Sequence, residues 1–385
     1  MTIFDKSLTN DQIMMRDVCR RFVDDVIQPF ISQNWQKEWD LTPEGRLPDN
    51  ILIESEAIGI RTLGVPERFG GISLEPENEV RTFAVISEEI ARGDSGLADK
   101  LVQNWKVSVL LRELASEEHQ ERWFGKLIED PNFLFAHALT EPKGASDRWL
   151  GYNAPSAAMD TKAKKVDGGW VINGRKHYIS NGYDAGLYIV YANTEPGTGM
   201  LEGTSSFILP RGAEGFKITR CNETVGCRYM NNGELEFIDC FVPDENLLCE
   251  GTALSKAGVY FRPGKIIQSA KNLGVGQSAL EKTAQFVQNY SRGGRLLIKH
   301  QIVASRLADM ATKVSAVRSL VLQAAYACDM KTSDADALCW MAKVFASEEI
   351  LKVCQNAMEL HGGMGVSDEM SIGHYLKKLI AIDAL

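Results

Sequence analysis

Between residues 133 and 245 the hydrophobic pattern of this chain changes period, and that change limits the folds open to it. Short apolar runs at 170–172, 177–179, 187–192, 205–209, 216–219 and 234–237 are punctuated by Gly, Asn and Pro. Such spacing predicts strands of a small β-barrel or sandwich. On either side the spacing is helical. Residues 8–128 carry Ile13, Val18, Phe22, Val26 and Ile27 at helical intervals after a Leu8, Thr9, Asn10, Asp11 entry, with further helices predicted at about 77–92 and 95–126. From Lys265 onward the pattern is helical again, and Val303, Leu307, Met310, Val314, Val317 and Val321 form the seam of a long antiparallel bundle. The order helices, strands, helices predicts an α+β multidomain chain, with an N-terminal α-helical domain over 1–130, a middle β-barrel domain over 131–248 and a C-terminal helix bundle over 249–385.

Composition removes several classes of function. The 385 residues are 44% hydrophobic and 24% charged, enough to bury two or three cores. The formal net charge of -9 leaves no surplus of Lys and Arg for nucleic-acid phosphates. Eight scattered cysteines without CxxC spacing predict neither a zinc site nor a disulfide framework, and point to a reducing compartment. No apolar run reaches the ~18 residues of a membrane helix, and the first residues lack a basic region followed by an apolar core. A cytoplasmic location is expected.

Two stretches stand out chemically. Residues 139–147 read Leu-Thr-Glu-Pro-Lys-Gly-Ala-Ser-Asp; residues 170–182 are expected to form two short strands joined by an Asn173, Gly174 turn. Together they offer hydroxyls, backbone amides and an aromatic ring on a β frame, which suits a planar polar cofactor. The same residue types also serve as turn and strand-end caps. A Gly362, Gly363 pair after the last long helical pattern either caps that helix or lets a backbone approach a ligand closely.

Taken in order, the motifs resemble the flavin-dependent acyl-CoA dehydrogenases over essentially the whole chain. The resemblance rests on Leu139, Thr140, Glu141 and Pro142 with Ser146 and Asp147; on Asn173 and Gly174 through Tyr178, Ile179, Ser180, Asn181 and Gly182; and on Gly226, Cys227 and Arg228. It continues through Phe237, Ile238 and Asp239, the 242–248 run, the His300, Gln301 pair and the Gly362 to Gly365 turn. It implies an FAD held by His137, Leu139, Thr140, Tyr178 and Ser180, with the Thr140 and Ser180 hydroxyls on the flavin's polar edge and Tyr178 beside the ring. Directed donors of this kind stabilise the charge of a reduced flavin. It also implies that Gln301, Glu359, Gly362 and Gly363 contact the cofactor of a neighbouring subunit, so at least a dimer, usually a tetramer made of two dimers. Tyr290 and Gly293 stand where family members carry, in that order, a pyrophosphate-binding arginine and an aromatic residue on the preceding helix, a departure at both positions. Arg292 and Arg295 are the substitutes at hand, Arg292 first. Ser146 and Arg262 are implied to lie along the acyl-CoA, and residues 148–155 to shape the pocket or the CoA path.

The implied reaction is oxidation of an acyl-CoA thioester to the 2,3-enoyl-CoA. The α proton goes to a carboxylate, the β hydrogen leaves as hydride, and an electron-transfer flavoprotein takes the electrons onward. Much of the family carries the base as a Glu after the Gly-Gly turn. Counting from Gly363 puts that position one residue beyond Leu385, with Asp383 the nearest carboxylate in the sequence. A minority of the family uses the residue before Arg262, which is Phe261 here. The alternatives are a flavoenzyme of the same fold with other chemistry (oxidase, monooxygenase or base-free thioester reaction) and a non-catalytic acyl-CoA-binding subunit.

Overall fold

A computed structural model describes residues 7–46, 48–144 and 154–384 of the chain. The first segment contains α1 (Asn10–Phe22) and α2 (Gln28–Asn34), joined by a π-helical turn, then α3 (Asp49–Ala57), α4 (Glu79–Gly93), α5 (Ser95–Leu114) and α6 (Glu117–Glu129). Thr9 caps α1 through a reciprocal box. Its hydroxyl accepts from the Gln12 amide at 3.2 Å and its own amide donates to Gln12 Oε1 at 3.0 Å. The single helix expected over 95–126 is two helices. Ala115 is extended, and the Ser116 hydroxyl accepts from the His119 amide at 3.3 Å, starting α6 with Glu117 and Glu118 in its first turn.

The middle segment carries β1 (Phe135–Ala138), β2 (Lys162–Val166), β3 (Gly169–Ile179), β4 (Leu187–Asn193), the short α7 (Met200–Gly203), β5 (Thr204–Pro210), β6 (Phe216–Cys221), β7 (Gly233–Pro243) and β8 (Leu247–Cys249). These make one eight-stranded sheet in the order β6-β7-β3-β2-β4-β5-β8, with β1 parallel to β4. The hairpin expected at Asn173 and Gly174 does not form. Gly174 sits at φ +147 inside one continuous strand, where the pairing with β7 slips between Ile172 and Gly174. A Cβ there would lie 2.6 Å from Thr161 Cα, so glycine is used for a bulge and a close backbone approach. The turn is instead between β2 and β3, whose pairing runs from Lys162 opposite Asn173 to Val166 opposite Gly169 and leaves Gly168 at φ +74.

The remaining elements are α8 (Ala253–Lys256), α9 (Gly258–Asn289), a two-stranded hairpin of β9 (Ser291–Arg292) and β10 (Arg295–Leu296), α10 (Gln301–Asp329), α11 (Ala335–Leu360) and α12 (Ile372–Ala384). Four residues of the predicted α10 seam, Met310, Val314, Val317 and Val321, are buried; Val303 and Leu307, nearer its start, are half-buried. Asp329 at the end of α10 reaches the first turn of α4, accepting from the Val80 amide at 2.7 Å and the Arg81 amide at 3.1 Å.

A buried ionic cluster locks α12 to the N-terminal helices. Asp94, extended between α4 and α5, caps α5 through Leu97 N (2.9 Å) and accepts from Lys378 Nζ. Glu38 lies 3.9 Å from the same ammonium and accepts from the Arg228 amide at 2.8 Å. Burial alone disfavours the Lys378 ammonium, but Asp94 and Glu38 reverse that and hold its pKa well above the ordinary value. Removing the cation strands two buried carboxylates. Lys378→Met is expected to cost roughly 3–5 kcal/mol, as loss of one partner of a buried pair does. Urea denaturation measures this, and a loss below about 1 kcal/mol would show that the cluster is not holding the helix.

Candidate functional site

The Leu139 to Glu141 segment continues β1 and is stitched to the second half of β3. The His177 amide donates to the Thr140 carbonyl at 2.9 Å, and Lys176 Nζ donates to the Leu139 carbonyl at 3.1 Å. Glu141 is buried at the centre of this junction. Its carboxylate accepts from Lys176 Nζ (2.8 Å), Thr161 N (2.9 Å) and Asp160 N (2.6 Å), tying the segment to the chain entering β2. Burial pushes the Glu141 carboxyl up, but the Lys176 ammonium and the Thr161 donors outweigh it and hold it below the ordinary carboxylate value.

On this frame the half-buried Thr140 and Ser180 stand on neighbouring segments, and between them Tyr178, 47% exposed, adopts a left-handed backbone (φ +55). A tyrosine at positive φ is costly unless its surroundings impose it. Here the ring stacks on His177 at 3.8 Å, and Asn181 (φ +58) fixes the next turn by donating to the carbonyls of Lys100 (2.9 Å) and Phe135 (3.3 Å). The large exposed ring is thus displayed on the sheet face beside two hydroxyl side chains.

Alternation along the chain turns Phe135, His137 and Leu139 to one side. There the His137 ring stacks on Tyr260 of α9 at 3.9 Å, bonds the Tyr191 hydroxyl through Nε2 at 3.0 Å, and meets Phe261 edge-on at 5.8 Å. Leu139 belongs to the same apolar cluster as Tyr260 and Phe261. His137 and Leu139 are therefore brought together against the start of α9, while Thr140 joins the Tyr178 and Ser180 segment through the bond from the His177 amide to its carbonyl.

The second set of expected residues lies at the end of the bundle formed by the C-termini of α9 and α11 and the start of α10. The arginines expected near a helix end are on a hairpin: Arg292 pairs with Arg295 across Gly293 and Gly294, both at positive φ as a primed two-residue turn requires. His300 Nε2 donates to the Arg292 carbonyl at 3.0 Å, and the exposed Gln301 opens α10. Glu359 pairs with Arg306. Tyr290, Phe286 and His361 form a stack, at 4.2 Å and 4.1 Å. Beyond it are Gly362 (φ +61) and Gly363, where an added Cβ would meet nothing within 4 Å, so the backbone faces open space.

Arg262 is exposed and engaged by Asp336, at 2.6 Å and 3.1 Å. Asp383 falls on α12, and the preceding Ile382 carbonyl accepts from Gln268 of α9, which docks the helix end near the start of α9. The Asp383 side chain, Ser146 and residues 148–153 lie outside the described residues. A small cleft lined among others by Trp35, Asp94, Lys282, Ser371, His374 and Lys378 contains none of the expected site residues. Among the described residues no cluster of His, Cys, Asp and Glu could hold a metal ion, and no helix is long and apolar enough to cross a membrane.

This architecture has known relatives. Descriptions of the acyl-CoA dehydrogenase N-terminal, middle and C-terminal domains match residues 9–130, 136–240 and 253–381. The chain is 32% identical over 329 residues to the mitochondrial isovaleryl-CoA dehydrogenase of Oryza sativa subsp. japonica, covering 84% of this chain and 76% of that one. It belongs to the acyl-CoA dehydrogenase family. An acyl-CoA dehydrogenase of Bacillus subtilis is 29% identical over 377 residues (96% of this chain, 92% of the relative). The solved butyryl-CoA dehydrogenase of Megasphaera elsdenii superimposes with a TM-score of 0.87 at 26% identity, covering 98% of this chain and 94% of that one.

Within this member of the acyl-CoA dehydrogenase family, the sequence assigned no role to Lys176 and Asn181, which shape the platform, or to Gln103 and Lys106, which face Tyr260. For Gln103 and Lys106 the sequence signal is the polar run Lys100, Gln103, Asn104 and Lys106 inside an otherwise apolar helix. The Glu141 junction makes a pH-dependent prediction. Because its folded pKa is depressed, its stabilisation is present above the unfolded carboxylate value of about 4.3 and is lost as pH falls further. Glu141→Gln is expected to cost about 3 kcal/mol at neutral pH and to flatten the stability profile below about pH 4. A mutant whose acid profile matches the parent's would remove this role.

Proposed function

We propose that the protein binds FAD and oxidises an acyl-CoA thioester to its 2,3-enoyl-CoA. The observation that carries this reading is the platform of Thr140, Tyr178 and Ser180, whose tyrosine is held exposed at a disfavoured backbone conformation beside two hydroxyls. The residues fit such a group. A flat aromatic face is on display at the platform, and at the bundle end the Gly362 and Gly363 backbone borders open space. His137, Leu139, Thr140, Tyr178 and Ser180 would hold the flavin; Arg292, Gln301, Glu359, Gly362 and Gly363 would serve the cofactor of a second copy. When bound, FAD supplies the acceptor for the β hydride.

The chain's own part is to bind, orient and exclude water. The Thr140 and Ser180 hydroxyls offer directed donors where negative charge develops, and the wall of His137, Tyr260 and Phe261 excludes solvent beside them. The α proton is assigned to a carboxylate in the segment after Gly363, with Asp383 the candidate within this sequence. Ser146 and Arg262 are assigned to the CoA moiety; for Arg262 this requires its pair with Asp336 to open or be shared. Exposed Ile302, Trp340, Met341 and Val344 on α10 and α11 supply apolar surface for association into a dimer of dimers. Electrons are passed to an electron-transfer flavoprotein. The free cysteines, eight in number, suit a cytoplasmic protein.

The purified protein is expected to be yellow and to bleach when an acyl-CoA is added without oxygen, reoxidising slowly in air. A colourless protein that takes up no FAD would overturn the reading; rapid reoxidation by air would favour an oxidase. The double variant Thr140→Ala, Ser180→Ala is expected to weaken FAD binding by roughly tenfold or more, as the loss of two hydrogen bonds of about 1 kcal/mol each implies. Fluorescence titration of apoprotein with FAD reads this, and unchanged affinity would remove the two hydroxyls from the site.

A further inference from the structure

Helix α5 is buried almost throughout from Ser95 to Leu111, yet it carries a lysine, Lys106, that is half-buried and in contact with the wall of the proposed acyl site. Its aliphatic stem lies along the first turns of α9, with Cδ 3.7 Å from where a Cβ on Gly264 would stand. Its ammonium is 5.2 Å from the centre of the Tyr260 ring, the ring on which His137 stacks. One helical turn earlier on the same face, Gln103 bonds the Tyr260 hydroxyl at 3.1 Å. Lys106, Gln103, Tyr260 and His137 thus form a polar lining beside Leu139 and Phe261, where an apolar lining is what a plain hydrocarbon chain needs.

The charges here do not balance. Asp99, one of the carboxylates nearest Lys106, is already joined to Lys271 of α9. Among the described residues Lys106 has no carboxylate partner of its own, and its electrostatic neighbours are Asp99 and the Tyr260 ring. Crowding by protein lowers the pKa of the Lys106 ammonium, with Asp99 pulling the other way. An ammonium in such surroundings is destabilised until an anion joins it. One unanswered positive charge, flanked by an amide and a phenol that can donate hydrogen bonds, matches a singly charged, planar acceptor.

Resting on the thioester reading above, we infer that the acyl group this protein takes carries a terminal carboxylate, held by Lys106 together with Gln103 and the Tyr260 hydroxyl. The substrate class is the mono-CoA thioester of a dicarboxylic acid, not a straight-chain fatty acyl-CoA. Lys106 is a binding and specificity residue, and the oxidation itself does not use it.

The test is calorimetric titration of the flavin-loaded protein with two CoA thioesters of equal chain length, one ending in a carboxylate and one in a methyl group. The parent is expected to bind the carboxylate-ended thioester at least tenfold more tightly. Lys106→Met, which keeps the stem and removes the charge, is expected to abolish or invert that ratio, and Lys106→Arg to retain a preference. Because the readout is a ratio within one preparation, a general loss of folded protein does not mimic it. Binding of the methyl-ended thioester with equal or higher affinity in the parent overturns the inference and leaves the thioester reading intact. Binding of neither overturns both. A parent preference that survives Lys106→Met unchanged also overturns the assignment to Lys106.

Discussion

The structure depends first on how closely α4 and α9 cross. At Gly274 an added Cβ would lie 2.3 Å from the Glu88 carbonyl and 2.8 Å from the Arg92 amide, so the two backbones are nearly in contact. On its other side α9 approaches α11 at Gly276, where a Cβ would meet Ile350 at 2.7 Å. Backbones brought this near leave no space for repacking, and interiors at native density transmit such a constraint. The crossing therefore sets where both ends of α9 fall. Tyr260 and Phe261 are placed against β1 at one end, and Phe286 and Tyr290 against His361 at the other. Members of the two groups of expected cofactor residues thus border the two ends of one helix, His137 and Leu139 at one and the Gly362 turn after His361 at the other.

Around this crossing, charges are buried only in answered sets. Arg318 of α10 meets Glu88 of α4 at 2.6 Å, Lys100 meets Asp184 at 2.5 Å, Lys271 meets Asp99, and Lys378 meets Asp94 and Glu38. Each of these joins segments far apart in the chain. Burying ions is expensive, and the net gain from a satisfied pair over an apolar one is small, while a broken pair is strongly destabilising. Such pairs act as checks on register more than as sources of stability. Against that background Lys106, which has no such partner among the described residues, is the exception, and it faces the wall of the proposed acyl site.

Much of the fold was legible locally. The capping box at Thr9, the strands from Leu187 and Thr204, and the α10 seam each follow from spacing within one element. Three readings were not recoverable that way. Gly174 reads as a turn, but Thr161 from the neighbouring strand crowds it and makes it a bulge. Ser116 divides a run that is apolar enough to be one helix. The two glycines before His300 form a hairpin that swings Arg292 and Arg295 off the helix on which motif alignment would place them.

By itself the sequence determined the three-part alternation of periods, the caps, and the residue types gathered at positions 139–142, 178–181 and 362–365, because each is a matter of neighbours within a few residues. Only the tertiary structure decided which of these meet. Glu141 is held by Lys176 across 35 residues, His137 by Tyr260 across more than a hundred, and Asp94 by Lys378 from the far end of the chain. Local periodicity reports which face of an element is buried. It carries no record of what that face is buried against, and the chemistry of this site is made of those contacts.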